Sequence, residues 1–173
     1  TKSEDFLQKP FTNKQLIDFV KKKLWNYFEG NQIMQTKEKN DLIFLRLYKN
    51  EDINKMIKKT CKKHNIKTAI VLSGIGQLDY VKLGYFKKKG DYCPTELSKK
   101  LEILSLSGNI IKSSDDYELH LHIVLGDEEK NSFGGHFIDG KISVTGEIVL
   151  LKTNINIGRV IDDDTGLKAL SLE

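Results

Sequence analysis

Glu118–Leu125 reads ELHLHIVL, and its reading decides the fold. In a β-strand, residues two apart point to the same side, so His120 and His122 share one face of the strand. The polar segment Gly126–Ser132 follows, and then Phe133–Ile138, which carries Gly134, Gly135 and His136. Taken as a hairpin with its register centred on residue 129, this arrangement sets His122 opposite His136 and makes His120 the diagonal neighbour on the same face. Cross-strand Cβ atoms lie about 5 Å apart, so three imidazoles can converge on one ion. A slip of one residue would turn the strand over and separate the trio.

Three convergent histidines suit Zn²⁺, or another borderline divalent transition metal, with a fourth coordination position left open. An HxH pair alone is more often the mark of a partly exposed strand face, and it is the third histidine that strengthens the metal reading. Gly134 and Gly135 allow a backbone or a ligand to approach closely. Glu102, inside the apolar run KLEILSLSG, needs a partner or a metal if it is buried, and is read either as a salt-bridge residue or as a base beside the ion. Glu147, on the strand after the hairpin, is read as a pocket or structural carboxylate.

Outward from the hairpin, strand signals dominate. Asp41–Tyr48 (DLIFLRLY), Thr68–Ser73, Gln77–Phe86, Leu101–Ile111 and Lys141–Leu151 are rich in strand formers. Gly74-Ile75-Gly76 interrupts one of these runs, and a bend or bulge explains it better than a phosphate loop, since no third glycine and no Lys-Ser/Thr follow. Lys87–Asp91 forms a turn, and Asp139-Gly140 carries a tight-turn signal. One helix is expected after Asn50, read as its cap, with Ile53, Met56, Ile57, Thr60 and Cys61 toward the core. Lys55, Lys58, Lys59, Lys62 and Lys63 share the opposite arc, about 140° wide, as a solvated face or a nucleic-acid contact. His64 is placed to interact with the end of that helix. The fold class is α+β: a mostly antiparallel sheet with a flanking helix, spanning residues 35–173.

Residues 1–34 form a helical N-terminal extension. Thr12-Asn13-Lys14-Gln15 is a capping box, and Leu16, Ile17, Val20, Leu24, Tyr27 and Phe28 lie on one face of the helix it opens.

The bulk numbers exclude several classes. The 173 residues are 39% hydrophobic and 30% charged, an ordinary globular balance. No apolar run reaches the roughly 18 to 20 residues of a membrane span, and residues 1–10 do not resemble a signal peptide. Cys61 and Cys93 lack metal-ligand spacing, and Cys61 reads as a buried free thiol, so a reducing, cytoplasmic setting is expected. The net charge is +4, and the only arginines are Arg46 and Arg159. Lysine neutralises phosphate but reads base edges poorly, so any DNA binding should be salt-sensitive and weakly sequence-specific.

From about Gln35 to Glu173 the chain resembles the plants and prokaryotes conserved (PPC) domain. The resemblance rests on Gly74-Ile75-Gly76, Leu101–Gly108 (LEILSLSG), His120-Leu121-His122, Gly134-Gly135-His136, Gly140, Glu147-Ile148 and Asp164-Thr165-Gly166-Leu167. It implies an antiparallel sheet with a flanking helix, a homotrimer, and a pocket at the subunit contact lined by the HxH and GGH histidines. Members have been described as DNA-binding, a contact credited in plant members to AT-hook segments. This chain has no Arg-Gly-Arg core of an AT-hook. Where plant members carry Gly-Arg-Phe-Glu-Ile-Leu, it has Lys99–Leu104 (KKLEIL), which removes a bidentate arginine.

Three functions follow from these observations. The first is a trimeric metal-binding assembly module with weak or indirect DNA association. The second is a metal-dependent hydrolase or lyase using the three histidines, disfavoured because no nucleophile–base pair or second carboxylate motif accompanies them. In the third, the histidines serve a trimer interface alone.

Overall fold

The computed structural model describes residues 11–30, 33–114 and 116–172. Two helices, α1 (Asn13–Gly30) and α2 (Ile53–Lys63), accompany nine strands among these residues: β1 (Gln35–Lys39), β2 (Leu42–Tyr48), β3 (Thr68–Lys88), β4 (Asp91–Leu97), β5 (Leu101–Ser113), β6 (Asp116–Gly126), β7 (Ser132–Thr153), β8 (Gly158–Ile161) and β9 (Lys168–Ser171). The chain divides into two compact units between Ile33 and Met34.

In the first unit, the capping box at the start of α1 is formed: the Gln15 N–H donates to Thr12 Oγ1 at 3.2 Å, and the Thr12 N–H donates to Gln15 Oε1 at 2.8 Å. The side chains of Leu24, Tyr27 and Phe28 lie outside the described residues.

In the second unit, every strand pairing is antiparallel, as the turn-linked strand signals imply. Seven strands form one sheet in the order β1-β2-β7-β6-β5-β3-β4, and β7 also pairs with β3. That extra pairing closes β3, β5, β6 and β7 into a ring, which leaves β1 and β4 at the outer positions. Alternation drives the packing. Ile43, Leu45 and Leu47 of β2 are buried, as are Leu121, Ile123 and Leu125 of β6, while the residues between them face outward.

Helix α2 lies against β2, β6 and β7. Its apolar stripe, Ile53, Met56, Ile57 and Cys61, is 0–5% exposed, and its lysines take the other face. The cap is Asp52, not Asn50. Asp52 is extended (φ −82°, ψ 124°) and accepts from the Lys55 N–H at 2.7 Å. Asn50 instead takes a left-handed conformation at φ 70° in the turn before the helix, which removes its side chain from the capping position. Glu51 accepts from the N–H groups of Met34 and Tyr48, each at 2.9 Å. His64 closes α2 and also bonds across to β1, through Glu38 at 2.6 Å and Thr36 at 2.9 Å.

Neither interruption ends a strand, and the first is the expected bulge. β3 runs unbroken through Gly74-Ile75-Gly76, with register shifts against β7 on either side. Gly76 is required because its φ is +142° and a Cβ there would meet Thr145 O at 2.1 Å. Asp139-Gly140 does not turn the chain either. β7 passes straight through it because β3 supplies ladder partners, Lys82 opposite Asp139 and Val81 opposite Gly140. The irregularity there is a bulge at Ile138, between the pairs Lys82–Asp139 and Leu83–Phe137.

Candidate metal centre

The β6–β7 hairpin pairs His122 with His136, Ile123 with Gly135, Val124 with Gly134 and Gly126 with Ser132. Leu121 and Ile123 are 1% and 2% exposed and anchor β6 to the core, so the alternating His120 and His122 face the other way. The ring centroids of the three histidines are 5.2–5.4 Å apart. One ligand atom from each lies within 4.8 Å of the other two. His120 and His136 are half-buried and His122 is exposed. Gly134 makes this approach possible: a Cβ there would meet Ile123 O at 2.2 Å.

None of the three imidazoles has a hydrogen-bond partner among the described residues. Burial, reinforced by the neighbouring charges of Arg159 and His122, lowers the pKa of His120. Burial, with His120 and His122, lowers that of His136. Neutral imidazole is the form that donates to a metal. Three unengaged imidazoles converging at ligand spacing, two of them (His120 and His136) biased to the neutral form, fit a divalent transition metal.

The trio lines a cleft of about 860 Å³. Tyr85 and Phe86 of β3, Tyr92 of β4, Ile138 of β7, and Arg159, Leu167 and Lys168 around the β8–β9 hairpin form its other walls, and Gly134 and Gly135 lie beside the histidines. The Tyr92 ring meets His136 edge-on, with centroids 6.2 Å apart at 82°.

Neither glutamate read as a candidate for the histidine pocket lines it. Glu102 is exposed and accepts from Gln77 Nε2 at 2.7 Å; it lies on an outward position of β5 rather than in the cleft. Glu147 is exposed opposite Arg46, in a second cleft of about 770 Å³ that includes Phe44 and Ile75. The acid that does line the histidine cleft is Glu118, held by Lys168 at 2.7 Å. Strand alternation could have found it, since residues 118, 120 and 122 share a face. Arg159 carried no local signal beyond its rarity.

The α2 lysines form a separate surface. Lys58 and Lys62 reach the Asp116 carboxylate at 2.6 and 3.6 Å, and Lys63 donates to Thr36 Oγ1 at 2.8 Å. Lys55 and Lys59 are exposed and have no ion-pair partner among the described residues.

Residues 34–154 match the model of the Plants and Prokaryotes Conserved (PCC) domain. Over 131 residues the chain is 30% identical to the bifunctional protein GlmU of a Synechococcus strain, a match that covers 75% of this chain but only 20% of that protein. A plant- and prokaryote-conserved protein of Pyrococcus horikoshii superposes with a TM-score of 0.66 at 30% identity, over 80% of this chain and 96% of its own. A metal-containing protein of Archaeoglobus fulgidus gives 0.69 at 28% identity, over 83% and 100%. A protein of Bacteroides thetaiotaomicron described as a candidate DNA-binding protein gives 0.76 at 25% identity, over 82% and 99%.

Proposed function

The chain belongs to the Plants and Prokaryotes Conserved domain family, and from that premise we propose that it is a metal-binding assembly module whose His120, His122 and His136 hold one divalent transition metal. The convergence of the three unengaged imidazoles on one point carries this reading. The donor set favours zinc, because borderline nitrogen ligands in a three-coordinate frame suit that ion. The metal-containing Archaeoglobus relative, 28% identical, supports it.

Assembly as a homotrimer belongs to the same proposal, as does a weak, salt-dependent association with DNA. The Bacteroides neighbour described as a candidate DNA-binding protein supports the latter. The lysine face of α2 is the chain's own contribution, although Asp116 already neutralises part of it. A cytoplasmic setting is proposed on the two free cysteines; among the described residues, no helix is long and apolar enough to cross a membrane.

The width of the cleft favours a second reading, a metal-dependent hydrolase or lyase. A divalent ion held by the trio would polarise a bound water or carbonyl. Glu102 is remote from the trio and cannot serve as its base, whereas Glu118 and Tyr92 line the same cleft.

Elemental analysis of the purified chain beside a His120→Ala/His122→Ala/His136→Ala variant tests the metal. About one transition metal per chain, lost in the variant, is expected. A native protein that takes up no zinc when zinc is supplied and the excess removed overturns the proposal.

A further inference from the structure

We propose that the cleft beside the histidines is a binding site for a small organic carboxylate, anchored by the Arg159 guanidinium. The inference rests on reading that cleft as the functional site, but not on a metal being bound there.

The first observation concerns charge. Arg159 is half-buried in the cleft wall, and its guanidinium donates to the neutral side-chain oxygen of Asn109. Among the described residues, no carboxylate forms an ion pair with it. The cleft's own acid, Glu118, is already engaged by Lys168 at 2.7 Å. Lys168 and Glu118 cancel, which leaves one positive charge, on Arg159, in a partly desolvated setting. Glu118 acts on Arg159 through space but is bonded to Lys168, so a partly desolvated guanidinium is left without a bonded counter-ion, and an anion that completes it is favoured.

The second observation concerns residue choice. Among 28 basic residues only two are arginines, Arg46 and Arg159. Lysine supplies a point charge as well as arginine does; what arginine adds is a planar fork that grips a carboxylate through two N–H donors. Asn109 stands opposite His120 in the β5–β6 register, so the residue that steadies the guanidinium is set by the same ladder that positions the trio.

The third observation concerns the rest of the wall. Tyr85, Phe86, Tyr92, Leu119, Ile138 and Leu167 are apolar or aromatic, and about 860 Å³ lies within the range of small-molecule sites. Such a wall suits the carbon body of an organic acid. A phosphate would call for more donors than one fork, and among the described residues that line the cleft none belongs to a helix N-terminus.

The test is isothermal titration calorimetry on the full chain, both metal-free and zinc-loaded. Benzoate, phenylacetate and succinate are the carboxylate probes, with phenylacetamide and inorganic phosphate as comparators. At least one carboxylate should saturate a single site in both forms, with phenylacetamide weaker by about tenfold or more, since it lacks the charge-assisted pair. Arg159→Gln should lose about as much, and Arg159→Lys should fall between.

Carboxylates binding no better than phenylacetamide or phosphate to the native chain overturn the proposal, and that comparison needs no variant to fold. It is equally overturned if carboxylate binding survives Arg159→Gln intact, or if that substitution instead lowers the assembly mass in light scattering while no carboxylate binds. In the last case Arg159 engages a second copy of the chain. Carboxylate binding without zinc uptake sinks the metal reading alone, and zinc uptake without carboxylate binding sinks this one alone.

Discussion

His122 stands directly opposite His136 across the β6–β7 hairpin, with ring centroids 5.4 Å apart and planes at 84°. The pairing places two imidazoles at metal-ligand spacing by backbone hydrogen bonding alone, and the two-residue period of β6 then adds His120.

That relationship depends on Gly134, whose Cα lies against the Ile123 carbonyl. Gly134→Ala places a methyl carbon 2.2 Å from that oxygen, which forces the hairpin apart. A loss of about 1–3 kcal/mol is expected, together with weaker zinc uptake although every histidine remains. Thermal melts and zinc stoichiometry on one sample check both, and a melting point within error of wild type would refute the close packing.

The histidines also set an acid limit for the metal-free protein. His120 and His136 titrate below the ordinary value of 6.5 because burial and neighbouring positive charge oppose protonation. The unfolded chain therefore binds more protons between that lowered range and 6.5, so stability rises with pH there. The contribution is fully present above about 6.5 and is lost as pH falls through the lowered values. Melting temperature against pH should show this slope in the metal-free protein. The slope should flatten when the three histidines are replaced by alanine.

The two thiols should differ sharply. Cys61 is fully buried under α2 and burial pushes its thiol up to about 12, whereas Cys93 is half-buried on β4. A thiol reagent should label Cys93 in the folded protein and reach Cys61 only on unfolding. Equal labelling rates under native conditions would contradict the packing of α2.

On α2, the lysines without an acidic partner should matter most for DNA. Lys55→Ala/Lys59→Ala should reduce the slope of log affinity against log salt by about 1.8, or roughly 0.9 per phosphate contact. Lys58→Ala/Lys62→Ala should change it less, because Asp116 already pairs with both. Fluorescence anisotropy with a duplex across a salt series provides the comparison. Unchanged slopes in both variants would remove α2 from the DNA surface.

Legibility in the sequence followed the range of the interaction. The buried stripe of α2 could be read because its signal lies in the helical period. β1 (QTKEK) could not, since it carries no apolar residue and is a strand only because β2 offers it an edge. Asp139-Gly140 carries a turn signal yet lies in a strand for a related reason: its local chemistry favours a turn, but β3 supplies ladder partners from far along the chain. The helix cap fell to Asp52 over Asn50 because only Asp52 has the extended backbone that a cap needs.

The sequence by itself determined the antiparallel class, the hairpin register and the histidine trio, since all three follow from a two-residue period and a short symmetric loop. Only the tertiary structure decided what stands around the trio. Burial of Leu101 and Ile103 in the core turns Glu102 to the outer surface, and the β8–β9 hairpin brings Arg159 and Lys168 to the cleft. The physical reason is that alternation specifies a face of a strand, whereas which distant strand covers that face depends on how the whole sheet closes around its core.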